Sequence, residues 1–289
     1  MIQQGLLFSV FVLTFILPNQ LIACTKDGKE GFLPENNLFI PVDKEIKNIS
    51  ELEFNSIINQ IETIYAPIVA EHGGELYVAR KWKDGTVNAY AEQNGKFWKV
   101  SMFGGLARHK SITPDGFALV ICHEIGHHIG GVPRYSYDWA SNEGQSDYFA
   151  TLKCLRRLWQ SDNNVDLIKK MEVPDFLTMS CHKNWTHPED RALCIRGAMA
   201  GDSVAKLFSS LSRSSKPAKF DTPDPKEVFY TNDNHPGTQC RLDTYFQGAL
   251  CESSSNDEIG QKEENKGVCH AVNGQKVGLR PRCWFKPSL

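Results

Sequence analysis

The chain has 289 residues, 41 % of them hydrophobic, which is ample for a core and long enough for one or two domains. Its net charge of −2, with acids and bases interspersed, leaves no basic footprint of the kind nucleic acid requires. No repeat of about 20–50 residues marks a solenoid, and no internal apolar run reaches the ~18 residues of a membrane-spanning helix.

At the N-terminus, residues 5–17 form an uncharged apolar run, the length of a signal-peptide core and short for a membrane span. Leu21-Ile22-Ala23-Cys24 then resembles a bacterial lipobox. That resemblance implies a signal peptide over 1–23, lipid modification of Cys24 and a membrane-anchored lipoprotein of the bacterial envelope. Thr25, rather than Asp, follows the cysteine, which by analogy points to the outer membrane facing the periplasm. Simple secretion is the alternative, although Leu21 is not the small residue that ordinary cleavage prefers. Against any signal peptide, Met1-Ile2-Gln3-Gln4 carries no Lys or Arg. Residues 24–50 are polar with scattered Pro and Gly and read as a tether.

Ser50 can cap a helix whose Ile57, Ile58, Ile61 and Ile64 form an apolar stripe. Residues 76–80 and 86–91 read as strands around the turn Lys83-Asp84-Gly85, and 96–102 as a third strand after Asn94-Gly95. Asn88-Ala89-Tyr90-Ala91 is a candidate edge onto which an extended polypeptide could add. Tyr90 packing into the core is an equal alternative.

Thr113-Pro114-Asp115 offers an N-cap, a proline at N1 and an acid in the first turn, and Gly130-Gly131 offers a stop. Between them Phe117, Val120, Ile121 and Ile125 predict a buried helix. It carries His123-Glu124-Ile125-Gly126-His127, an HExxH pattern. Histidines four apart project from one helix face and can reach one tetrahedral zinc, while the glutamate between them can reach a metal-bound water. Three residues also match by chance, in which case the two histidines are ordinary buried side chains. His128 points off the shared face.

The next helical pattern starts near Trp139 and continues through Leu152, Leu155 and Leu158. Glu143 and Asp147 share a face of it. Acids on an apolar face are costly unless paired or metal-bound. Glu143 as third zinc ligand, and Asp147 as acceptor from a ligand histidine's other N–H, satisfy both. The alternative is that both acids lie on a solvated face.

Residues 161–235 read as short helices and loops, with 213–227 rich in Pro, Lys and Asp. A helix is predicted over 238–250, and 252–268 as a solvated loop. Without Cys24, eight of the nine cysteines remain, enough for up to four disulfides and 105 possible connectivities. Cys122 and Cys154, on the two metal-bearing helices, read as staples rather than ligands. Cys251, Cys269 and Cys283 should tie the tail. No Cys-x-x-Cys pair suggests a separate zinc ribbon.

His123-Glu124-x-x-His127 followed by Asn142-Glu143-x-x-Ser146-Asp147 resembles the gluzincin pattern of zinc peptidases. Two further elements resemble one branch, the HtpX and CAAX-prenyl-endopeptidase family: the strand Val87-Asn88-Ala89-Tyr90-Ala91, and His235-Pro236 with Arg241 six residues after the histidine. The likeness spans about residues 52–250, and the missing membrane spans bring it nearer the soluble envelope members of the BepA and LoiP type. It implies an α+β fold, a mostly helical zincin-like metallopeptidase domain with a small β-sheet next to the HExxH helix. The expected boundaries are 51–250 for that domain and 251–289 for a disulfide-tied tail. It also implies one Zn2+ per chain on His123, His127 and Glu143, with Glu124 as base. His235 would be a catalytic donor to the developing oxyanion, with Arg241 beside the site. His187-Pro188 with Arg191 is a rival pair, and His235-Pro236 could instead be only a turn into the next helix. The implied activity is endopeptidase cleavage of envelope polypeptides in quality control. The alternatives are a chaperone-like or scaffold lipoprotein with a structural zinc, and a disulfide-stapled binding protein with no metal. Latency, with a loop or His235 covering the zinc, stays open. The sequence carries no sign of a specificity pocket or an oligomeric interface.

Overall fold

The structure, a computed structural model, describes residues 21–22, 31–42, 48–135, 139–211 and 216–288. Cys24 and most of the expected signal peptide lie outside them. Helix α1 (Glu51–Glu71) starts on a capping box: the Ser50 hydroxyl accepts from the Glu53 N–H, and the Glu53 carboxylate accepts from the Ser50 N–H. It buries Phe54, Ile58, Ile61, Tyr65 and Val69, a helical repeat facing the core.

The sheet contains β1 (Leu21–Ile22), β2 (Glu75–Lys81), β3 (Ala89–Asn94) and β4 (Phe97–Phe103), in the order β1-β3-β4-β2. β3 and β4 form the expected antiparallel hairpin over Asn94-Gly95. β2 instead pairs parallel with β4, so Lys83-Asp84-Gly85 closes no hairpin. Asp84 spends its carboxylate on the Thr86 N–H and hydroxyl, and residues 85–89 turn to a different partner. That partner is the chain's own segment 31–40. Phe32 N–H donates to Ala89 C=O, Val87 N–H to Leu38 C=O, and Ile40 N–H to Gly85 C=O. The Asn88–Ala91 edge therefore is not open: 31–40 covers one part, and β1 pairs with Glu92 and Gln93 beyond it.

Short α2 (Gly104–Ala107) leads to α3 (Pro114–Ile129), capped by Thr113 as expected and buried at every residue from Gly116 to Ile129. β3 and β4 pack on α3, so the sheet lies beside the HExxH helix. Gly131, at φ 80°, ends α3 in the left-handed conformation that glycine adopts without strain. α4 (Glu143–Phe149) is capped by Asn142 and runs through a π-helical turn (Ala150–Cys154) into α5 (Leu155–Trp159). A Cβ at Gly126 would lie 3.0 Å from Ser146 Cα, so glycine lets α3 and α4 approach closely.

α6 (Asn164–Ile168) and α7 (Asp175–Asn184) are short, but α8 (Pro188–Leu211) is a 24-residue helix where only short pieces were expected. α9 (Thr238–Leu250) matches its predicted bounds and packs along α8. α7, α8 and α9 share a second apolar cluster that includes Leu177, Ile195, Leu242 and Phe246.

Four disulfides form: Cys122–Cys154, Cys181–Cys194, Cys240–Cys283 and Cys251–Cys269. The first joins α3 to the π-helical turn that follows α4, and the last two tie the irregular tail. The tail also docks by side chains: Trp284 Nε1 donates to Thr244 Oγ1, and Arg280 to Gln145 Oε1 and Val132 C=O. Such bridges persist in an oxidising compartment. Among the described residues, no helix is long and apolar enough to cross a membrane.

Candidate metal centre

α3 presents His123 and His127 one turn apart, and α4 presents Glu143 opposite them. One ligand atom from each lies within 4.8 Å of the others, and all three side chains are fully buried. His123 Nε2 is 3.4 Å from Glu143 Oε2, and His127 Nε2 is 3.5 Å from Glu143 Oε1. These are too long for hydrogen bonds of normal strength and leave room for an atom between them.

The outer nitrogens fix the rings. His123 Nδ1 donates to Asp147 Oδ1 at 2.7 Å, and His127 Nδ1 to the Ser141 carbonyl at 2.8 Å. Both rings therefore aim Nε2 at the cluster. His123 Nε2, Glu143 Oε2 and both carboxylate oxygens of Glu124 are buried with no hydrogen-bond partner. Orphaned buried polar atoms are costly and uncommon. Their convergence, with a nitrogen/oxygen donor set that suits zinc, fits a metal ion. The group could hold one.

Asp147 is the hub behind the site. Arg241 grips it with Nε on Oδ2 at 2.8 Å and Nη2 on Oδ1 at 2.6 Å, and Tyr245 O–H donates to Oδ1 at 2.7 Å. Arg241 lies beside the site, its Nη2 3.9 Å from Glu143 Oε2. Its fork binds Asp147 and its Nη1 the Phe32 carbonyl, so it braces His123 through Asp147. His235 does reach the cluster: Nε2 lies 3.3 Å from Glu143 Oε2 and 2.9 Å from the Gly31 carbonyl. The rival pair goes elsewhere. Pro188 opens α8, and Arg191 Nε donates to the Trp185 carbonyl. His128 is stacked between Trp98 and Trp139, off the metal face. Tyr90 packs edge-on to Phe103.

Burial and neighbouring charge pull the titrating groups apart. Burial pushes Glu124 up to about 8, helped by the carboxylates of Glu143 and Asp147 and opposed by His123 and Arg241. Burial disfavours the His123 cation, but Asp147 and Glu143 outweigh it and raise the group to about 9. Burial lowers His127 to about 4. It opposes ionisation of Glu143 too, yet the surrounding histidines, His235 foremost, hold that carboxyl well below its usual range.

Two tyrosines escaped the sequence reading. Tyr135 O–H donates to Glu143 Oε1 at 3.0 Å, and its ring stacks 6.4 Å from that of His127. It lies in a loop without periodicity, so nothing local marked it. Tyr245 had a signal: it is four residues after Arg241 on α9, hence on the same face. The partner of His127 is a backbone carbonyl, which no side-chain pattern encodes. Comparison with protein-family models, characterised proteins and solved structures finds no match to this chain.

Proposed function

We propose that the chain is a zinc-dependent endopeptidase, lipid-anchored in the bacterial envelope and acting on envelope polypeptides. One observation carries the reading: His123 and Glu143 turn unpartnered buried atoms towards the point that His127 also faces, both rings are held by hydrogen bonds at Nδ1, and Glu124 with two unpartnered oxygens stands beside them. The gluzincin resemblance supports the same assignment, and the four disulfides suit an extracytoplasmic site.

His123, His127 and Glu143 would hold the ion. Zinc bound there supplies Lewis-acid chemistry, acidifying water and polarising a carbonyl. Glu124 accepts the proton from the attacking water and passes it to the nitrogen of the leaving amine. Its raised proton affinity suits both halves of that shuttle, and a cation at the ligands lowers it, as His123 already does. His235 and Tyr135 supply N–H and O–H donors for charge developing on the carbonyl oxygen. Asp147, clamped by Arg241 and Tyr245, keeps His123 in its ligand tautomer.

The complete burial of the site favours a second reading, a scaffold lipoprotein in which the metal is structural. Casein cleavage by the zinc-loaded protein and by Glu124→Gln separates the two. The peptidase reading expects Glu124→Gln to keep zinc and to lose about 10²–10⁴ in rate. Equal cleavage by both proteins removes Glu124 as base, and no cleavage by a zinc-replete chain whose site has been opened to substrate leaves the scaffold.

A further inference from the structure

His123, Glu124, His127 and Glu143 are all 0 % exposed. A polypeptide cannot present a carbonyl to groups so enclosed. Part of the enclosure is the chain's own Gly31-Phe32-Leu33, itself fully buried among the described residues.

These three residues are held as a peptide ligand would be, chiefly through the main chain. The Gly31 carbonyl accepts from His235 Nε2 at 2.9 Å. The Phe32 N–H donates to the Ala89 carbonyl at 2.9 Å, and its carbonyl accepts from Arg241 Nη1 at 3.1 Å. The Asn88 side chain closes the pattern, accepting from the Leu33 N–H at 2.9 Å and donating to the Leu33 carbonyl at 3.1 Å. The Phe32 ring fills an apolar slot against the ligand His123 at 4.9 Å, Phe208 at 5.4 Å and the Arg241 guanidinium at 4.6 Å. Glycine is required before it: a Cβ at Gly31 would lie 2.2 Å from the Ala89 carbonyl oxygen.

We propose that Asn88, Ala89, His235 and Arg241 form a peptide-binding subsite for a main chain bearing a bulky apolar side chain, and that Gly31–Leu33 occupies it in cis and masks the metal centre. The peptidase reading underlies this. The segment binds as an inhibitor rather than a substrate because it is bent. The Gly31 N–H folds back to the Leu33 carbonyl at 3.2 Å, whereas polypeptides that add to a strand edge are extended. The contacts that hold it belong to the same edge that would receive substrate, so a polypeptide gains access only by displacing it.

The test uses the zinc-loaded full chain, with Gly31→Ala to eject the segment by steric clash and Phe32→Ala to empty its slot. Leu177→Ala, in the α7–α9 cluster, controls for general loosening. The readouts are zinc removal by excess 1,10-phenanthroline, casein cleavage, N-terminal sequencing and amide exchange at Phe32 and Leu33. The mask predicts slow exchange at both amides in the wild type. It predicts zinc removal about tenfold faster or more in both mask variants, with casein cleavage rising alongside and the control unchanged. Gly31→Ala leaves the Phe32 side chain in place, so it reports even if Phe32→Ala folds poorly. Unchanged zinc removal in Gly31→Ala overturns the mask, as does a wild-type chain that begins at Phe32, which would show the segment cut rather than held. Faster zinc removal with no casein cleavage in any variant keeps the mask and removes the peptidase reading.

Discussion

Asp147→Ala strikes the centre from behind, and its cost can be worked from the contacts. The carboxylate holds His123 at 2.7 Å, both arms of Arg241 at 2.8 and 2.6 Å, and the Tyr245 hydroxyl at 2.7 Å, all at full burial. Its loss leaves the buried Arg241 guanidinium with only the more distant Glu143 carboxylate, 3.9 Å away, as counter-charge, a defect worth about 3 kcal/mol of folding stability. It also frees the His123 ring to turn or change tautomer, which lowers zinc affinity about 10–100-fold, or roughly 1.4–2.8 kcal/mol. Urea unfolding of the zinc-free protein measures the first quantity, and zinc competition against a chromophoric chelator the second. The double variant Asp147→Ala/Arg241→Met should recover part of the stability, because it removes the stranded charge, but none of the zinc affinity. Zinc affinity within twofold of wild type in Asp147→Ala would refute the role given to this carboxylate.

In the Gly31→Ala background, where the segment no longer covers the site, His235→Ala should lower casein cleavage about 10²–10³-fold while zinc content is unchanged; lost zinc would make His235 a ligand instead. Zinc affinity should rise at least about tenfold per pH unit across the neutral range, more steeply below the Glu124 value of about 8, and level off near the His123 value of about 9. The sign follows from the metal-free state: below those values His123 carries a proton that zinc must displace and Glu124 one that the cation helps to expel, while His127, at about 4, and Glu143, held low, carry none. Competition titrations at several pH values check this, and a flat profile contradicts it. Replacing Cys122 and Cys154 together with Ser should cost about 3–4 kcal/mol of stability, from the 32-residue separation that the bridge closes. Urea midpoints under non-reducing conditions measure it.

Local chemistry made much of this molecule readable. Ser50, Thr113 and Gly131 mark helix ends by cap geometry, and α9 matches its pattern to the residue. The candidate ligands were readable because burial of two histidines and two acids at helical spacing has few other satisfactory outcomes. Long-range choices were not readable. α8 hid behind Gly197 and Gly201, which break the apolar period. Gly201 is small because α9 lies close: a Cβ there would sit 2.7 Å from Tyr245 Cβ. Asp84-Gly85 looked like a hairpin turn, but the parallel pairing of β2 with β4 depends on a strand later in the chain. Gly31-Phe32-Leu33 passed for tether because its partners, Ala89, His235 and Arg241, lie far along the sequence.

Elemental analysis of the purified protein decides whether His123, His127 and Glu143 hold one zinc ion, as proposed. One zinc per chain is expected in the wild type and in Glu124→Gln, and little in His127→Ala or Glu143→Ala. A wild-type chain that takes up no zinc, or a His127→Ala variant that keeps it, would overturn that assignment.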